Sequence, residues 1–160
     1  MKQSTNIRQN ILSVSKKAAV MLALLLTLCT SYSFAKPTNG GTSEITASFR
    51  KDFGNAQIMN TEVQHLFTKI TFKTSDRVMF AFYSDNGELL AVTRNIVSSE
   101  LPVGLMVNLK AHYNNYWITE LFEFDGDNQT CYYVTLQNAD GRVILRSNGN
   151  NWEVYNTLKK

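Results

Sequence analysis

The residues this chain is short of narrow its chemistry first. It has two cysteines, two histidines and two prolines among 160 residues. Cys29 falls in a stretch read below as a cleaved leader, which leaves Cys131 alone. A secreted chain with one cysteine forms no internal disulfide. Within Thr130-Cys-Tyr-Tyr-Val-Thr-Leu136, Cys131 reads as a small hydrophobe on a strand. A nucleophilic thiol needs a base beside it. His65 and His112 are 47 residues apart, and neither has a His or Cys at ligand spacing, so no metal site is expected. Glycine-flanked nucleophile serines, phosphate-binding loops and dinucleotide fingerprints are also missing. The carboxylate pairs Glu120/Glu123 and Asp125/Asp127 sit among polar residues, whereas acid–base work needs one carboxylate in a dry pocket. Asp125-Gly-Asp-Asn128 lacks the remaining ligands of a calcium loop and reads as a turn. The expectation is a protein with no catalytic residues, no metal and no cofactor, hence not an enzyme.

An excess of one charge is missing too. The whole chain carries +3. Lys2, Arg8, Lys16 and Lys17 precede residue 36 with no acidic residue among them, so the remainder has 12 basic and 13 acidic residues and a net charge of −1. No basic stripe is left, which argues against a nucleic-acid partner. The chain has a single long apolar run, Ala18-Ala-Val-Met-Leu-Ala-Leu-Leu-Leu-Thr-Leu28. It is too short to span a bilayer, it follows Lys16 and Lys17, and it leads into Ser33-Phe-Ala35, a small-x-small cleavage site. Residues 1–35 therefore read as a signal peptide, with a secreted or periplasmic destination and no membrane span after cleavage. Residues 36–43 read as a flexible polar leader. Residues 44–160 are enough for one compact domain with its own core.

Within that domain the strongest local signal is Arg77-Val-Met-Phe-Ala-Phe-Tyr-Ser-Asp-Asn-Gly-Glu-Leu-Leu-Ala-Val92. Asn-Gly between alternating hydrophobics predicts a β-hairpin with a type I′ turn, which needs positive φ at both residues. Ile45, Phe49 and Phe53 recur every four residues and predict a short helix capped by Thr42 or Ser43 and ended by Gly54. Strands are expected over 56–63, 66–72, 77–83 and 88–94. The pattern then restarts. Ser98-Ser-Glu-Leu-Pro102 predicts a helix start, with Leu101, Leu105, Leu109 and Tyr113 as its stripe. Strands follow over 116–124, 131–136, 142–147 and 152–155.

The two halves overlay. Ile45, Phe49 and Phe53 fall on Leu105, Leu109 and Tyr113. Ile70-Thr-Phe72 falls on Val134-Thr-Leu136. At an offset of 65, Arg77-Val-Met-Phe80 falls on Arg142-Val-Ile-Leu145. The fold class predicted is α+β: tandem duplicated units over about 44–97 and 98–158, each a short helix packed on an antiparallel β-meander.

Alternation then assigns faces. With Val78, Phe80, Val134 and Leu136 toward the helices, Tyr132 and Trp152 join the core. Met79, Tyr83, Tyr133, Ile144, Arg146 and Tyr155 turn outward, as does Trp117. An open sheet face bearing Tyr, Trp, Met and Arg has the composition of a protein-binding surface. Its candidate contact residues are Tyr83, Trp117, Tyr133, Arg146 and Tyr155.

Three stretches carry a family likeness: Phe49-Arg-Lys-Asp-Phe-Gly-Asn-Ala56, Ala81-Phe-Tyr-Ser-Asp-Asn-Gly-Glu-Leu-Leu-Ala-Val92, and residues 109–117 with Ile118-Thr-Glu-Leu-Phe-Glu123. In these the chain resembles the PepSY-like, β-lactamase-inhibitor-like family of small secreted bacterial proteins. The resemblance spans residues 44–160. It implies tandem α/β units with helices on antiparallel sheets, and a non-enzymatic role in the cell envelope. The function expected is a secreted binding module that holds or inhibits an envelope protein or hydrolase. The alternative is a periplasmic carrier of a small ligand or peptide, held in the cleft between the units.

Overall fold

The four-residue spacing of Ile45, Phe49 and Phe53 becomes one face of helix α1 (Gly41–Phe53). The computed structural model describes residues 41–126 and 129–159. The stretch read as signal peptide, most of that read as leader, and Asp127-Asn128 of the acidic turn lie outside them. The helix begins at Gly41, so Thr42 and Ser43, expected as caps, lie in its first turn. Glu44 in that turn and Arg50 and Lys51 in the last complement the helix dipole. Gly54 at φ +58° ends it, with its N–H bonded back to the Arg50 carbonyl.

Four strands follow, β1 (Gln57–Val63), β2 (Thr68–Thr74), β3 (Arg77–Tyr83) and β4 (Leu89–Asn95). After a 3₁₀ turn at Ser98–Glu100 come α2 (Val103–His112), β5 (Trp117–Gly126), β6 (Gln129–Gln137), β7 (Gly141–Asn148) and β8 (Asn151–Lys159). All eight strands form one antiparallel sheet in the order β1 to β8. The architecture is α+β. Each half of the chain contributes a helix and four strands.

The second helix starts later than expected. Ser98–Glu100 is a separate turn, Glu100 accepts the Val97 N–H at 3.0 Å, and α2 begins after Pro102. Proline supplies no N–H and suits this entry. The hairpin turn differs as well. Gly87 has φ +74°, while Asn86 is not in the left-handed region. The Gly87 N–H bonds to the Ser84 carbonyl and the register slips between Phe82 and Tyr83. This is a type I turn completed by a glycine bulge, and the bulge absorbs the extra residue. A side chain at Gly87 would meet Ser48 Oγ of α1 at 2.8 Å, so the glycine also lets the helix sit on the turn.

Both helices lie on one side of the sheet. Under α1 the core is Ile45, Phe49, Ile70, Phe72, Ala81 and Tyr83. Under α2 it is Leu101, Leu105, Leu109, Leu121, Val134, Leu136 and Leu145, joined by Tyr132 and Trp152. Trp152 donates its indole N–H to the Leu105 carbonyl at 2.9 Å and ties β8 to the helix.

The facing of β3 is the reverse of that expected. Met79, Ala81 and Tyr83 point at α1, and Phe80 packs on the opposite face. By facing, Met79, Ala81 and Tyr83 correspond to Val143, Leu145 and Ser147, one residue short of the 65-residue offset. A slip of one residue inverts a strand. β3 is apolar on both faces, so its hydrophobic pattern cannot fix which side goes in.

The halves meet along β4 and β5, which pair only from Val92 with Asp125 to Asn95 with Phe122. Charge reinforces this seam. The Arg94 guanidinium holds both oxygens of Glu123 at 3.0 Å and Glu100 at 3.0 Å. Arg77 reaches Glu100 at 3.2 Å. Arg94→Ala is expected to lower stability to urea denaturation by about 1–2 kcal/mol, after discounting for partial exposure of the pairs. Arg94→Lys should restore only part of that, because the two-pronged grip on Glu123 is lost. The Val97 amide first, and Arg94 next, hold the Glu100 carboxyl below its ordinary 4.5. A lowered carboxyl contributes stability above its unfolded value, and that contribution disappears as pH falls. Glu100→Gln should therefore flatten the stability profile below pH 4.5.

Candidate binding face

The side of the sheet away from the helices carries its own aromatic cluster. Strand pairing lays it out in rows. Phe80, Thr93, Phe124 and Cys131 stand side by side across β3 to β6. Phe122, Tyr133 and Arg146 form the next row. Phe82 and Ala91 lie beyond Phe80. Phe67, Phe82, Ala91, Phe122, Phe124, Cys131, Tyr133 and Ile144 form a buried cluster, with Phe80, Leu90 and Tyr155 packed against it. No helix residue belongs to this cluster among the described residues.

Tyr133 is its hub. Its ring stacks on Phe122 at 5.1 Å between centroids and 10° between planes. It meets Phe124 edge-on at 6.2 Å and Tyr155 edge-on at 5.5 Å. Such offset and edge geometries suit the ring quadrupoles. Burial pushes the Tyr133 phenol well above its usual range. Burial also raises the Tyr155 phenol, and the nearby Arg146 charge offsets part of that shift. At the far edge, the Lys69 amine lies 5.0 Å over the Phe80 ring and 3.6 Å from Glu62.

The five expected contact residues divide. Tyr83 is not on this face. Its ring is fully buried under α1 and its hydroxyl donates to Asp52 Oδ2 at 2.9 Å. The inverted facing of β3 put it there. Tyr133 is on the face but only 1% exposed, so it supports the surface and offers little contact area. Arg146 and Tyr155 are half-buried beside it. Trp117 is 54% exposed at the end of β5 and pairs with Gln137. Sequence reasoning missed Phe80, Phe122 and Phe124. Strict alternation separates Trp117 from Phe122. A register shift between Ile118 and Glu120 brings them to the same face. The one available signal was Phe122 and Phe124, two residues apart in an alternating run.

The chemistry expected to be missing can be compared with the geometry. Cys131 is buried on this face, while His112 lies on α2, across the sheet, with Nδ1 2.9 Å from the Asn108 carbonyl oxygen. His65 is exposed between β1 and β2. Among the described residues no His, Cys, Asp and Glu group of three or more could hold a metal, and no helix is long and apolar enough to cross a membrane. The described residues also border hollows. One of about 510 Å³ lies at the seam, bordered by Asp76, Arg77, Arg94 and Glu100. Another of about 540 Å³ lies beside α2, lined by Met106, Leu109, Tyr113, Tyr116, Ile118 and Leu136 among others.

No protein-family model matches the chain, and no curated protein matches it. Solved structures do. A BLIP-like protein from Bacteroides fragilis superposes with a TM-score of 0.63 at 15% identity, over 79% of this chain and 89% of that one. A DUF2874 family protein from Bacteroides uniformis gives 0.65 at 10% identity, over 73% and 88%. A candidate periplasmic protein from Bacteroides eggerthii gives 0.64 at 8% identity, over 79% and 90%. At these identities the likeness is one of fold. It supports the BLIP-like side of the resemblance read from the sequence and not the PepSY side.

Proposed function

We propose that this protein is a non-enzymatic binding module of the cell envelope, which holds a partner protein against the helix-free face of its sheet. The observation that carries the reading is one-sided covering. Both helices pack on one face, and the other presents a rigid aromatic floor with Trp117, Tyr155, Phe80 and Arg146 at its surface. Large rings already fixed by their neighbours lose little entropy on docking and give much contact area. The envelope location rests on the signal peptide read in residues 1–35, in keeping with the periplasmic assignment of one structural neighbour. Inhibition of a hydrolase by occlusion is the specific form suggested by the BLIP-like fold. The reading includes an origin by duplication, with units of about 44–97 and 98–158. Both helices support it by touching the last turn of their own half, α1 through Ser48 at Gly87 and α2 through Gly104 at Asn150.

The test is capture of partners from an envelope extract of the source cell by the tagged, secreted protein. Wild type should retain a specific protein. Trp117→Ala, which removes an exposed ring, should weaken retention at least tenfold and leave the melting temperature within about 2 °C. Equal retention by the variant would move the contact off this face.

The second reading is a small-ligand carrier. The seam hollow is bordered by charged groups and fits it poorly. The hollow beside α2, with its Met, Leu, Ile and Tyr lining, fits an apolar ligand better. Native mass spectrometry of the purified protein separates the two readings, because a carrier would show a persistent added mass.

A further inference from the structure

On the aromatic face, Arg146 has no carboxylate within ion-pair distance among the described residues. Arg146 rises from β7 between the rows of β6 and β8, beside Tyr133, Tyr155 and the Cys131 thiol. Its Nε is enclosed and has no hydrogen-bond partner, and the guanidinium lies against the Cys131 thiol. The residue directly opposite on β8 is Glu153, but that carboxylate accepts the Asn148 amide at 2.5 Å. Lys69, a cation at the far edge of the face, is already paired with Glu62. Among the described residues, then, Arg146 alone of these two stays uncompensated. Its guanidinium is half-buried beside Tyr133 and Tyr155, and burial strips it of part of its water. Such a group gains most from an anion that arrives with its own apolar flanks.

The geometry points to Arg146 as the anchor for an aspartate or glutamate side chain of the docked partner, carried on a segment whose neighbouring residues are apolar. A carboxylate is the planar acceptor that suits a guanidinium, and one negative charge matches one positive charge. A polyanion fits poorly, because Glu62, Glu120 and Glu153 share the same face. The flanking apolar residues would cover Tyr155, Ile144 and Phe80. This inference rests on the docking role proposed above and names what is recognised there.

Its test uses a library of disulfide-closed random peptides displayed on phage and selected against the full-length protein. Peptides that compete for this face, identified by loss of binding to Trp117→Ala, should share an acidic residue between apolar ones. Changing that residue to its amide should weaken binding at least tenfold. Arg146→Met should weaken the acidic peptide by a similar factor, and the amide peptide should bind wild type and Arg146→Met alike. The peptide change leaves the protein untouched, so the result does not depend on how well Arg146→Met folds. Peptides that need Trp117 but are indifferent to the amide change would overturn the carboxylate anchor and leave the docking face standing. A selection in which no peptide depends on Trp117 would overturn both.

Discussion

Tyr133→Ala is expected to cost about 3–5 kcal/mol of folding stability, the range for emptying a large aromatic site in a packed core. The ring is almost wholly buried and touches Phe122, Phe124 and Tyr155. Removing it takes the shared neighbour from three other rings at once. Tyr83→Ala should cost a similar amount in the other half, where the ring fills the space between α1 and β3 and its hydroxyl holds Asp52. Set against a total of about 5–15 kcal/mol for a domain of this size, either change removes a large share of the folded population, and together they should abolish folding. Equilibrium urea unfolding by circular dichroism measures both. Tyr83→Phe separates packing from hydrogen bonding, since it keeps the ring and drops only the Asp52 bond, and about 1 kcal/mol is expected. A Tyr133→Ala protein that unfolds with wild-type midpoint would mean that the helix-free face has no core of its own.

Those two tyrosines also mark where sequence reading succeeds and where it stops. The helix stripes were legible because Ile45, Phe49 and Phe53, and likewise Leu105 and Leu109, repeat at a spacing that only a helix brings to one side. Facing was legible in β6, where Val134 and Leu136 are apolar but Thr135 is polar, so one side of that stretch declares itself. It was illegible in β3, where Val78, Met79, Phe80, Ala81, Phe82 and Tyr83 give either face an apolar set. The choice between faces was made by volume. Ala81 leaves room for Phe49 of α1, which packs against Phe72 at 5.1 Å. Presenting Phe80 and Phe82 to α1 instead would crowd that space. The candidate site suffered from a different gap. The bulge near Thr119 resets the alternation of β5, and nothing in Trp117-Ile-Thr-Glu120 announces an extra residue. Trp117 was therefore placed on the correct face while Phe122 and Phe124, which share it, were not seen as its companions. The pairing of Arg94 with Glu123 was equally unreadable, because it depends on how the two halves join, and that join is one short run of strand pairs.

The same burial that makes Tyr83 and Tyr133 costly to remove should make the protein fail in alkali. Burial first, then the hydrogen bond and charge of Asp52, push the Tyr83 phenol far above its ordinary 10.0. Burial likewise raises Tyr133. In the unfolded chain each phenol loses its proton near pH 10, while in the folded protein each keeps it to higher pH. Above pH 10 the folded state therefore binds more protons than the unfolded one, and stability must fall as pH rises. Each such tyrosine contributes a slope of about −1.4 kcal/mol per pH unit once the unfolded form is ionised. With two, a domain stable by about 5–8 kcal/mol should unfold within about two to three units above pH 10. Below pH 10 neither group contributes any slope. Urea midpoints measured from pH 8 to 12 should show a flat region followed by this descent, and Tyr83→Phe should make the descent shallower without moving its onset. An unchanged slope in Tyr83→Phe would place the ionising group elsewhere and contradict the enclosure of that ring beneath α1. Absorbance of tyrosinate near 295 nm supplies the matching kinetic signature. The exposed phenols should ionise at once on a jump to high pH, whereas Tyr83 and Tyr133 should ionise only at the rate of unfolding.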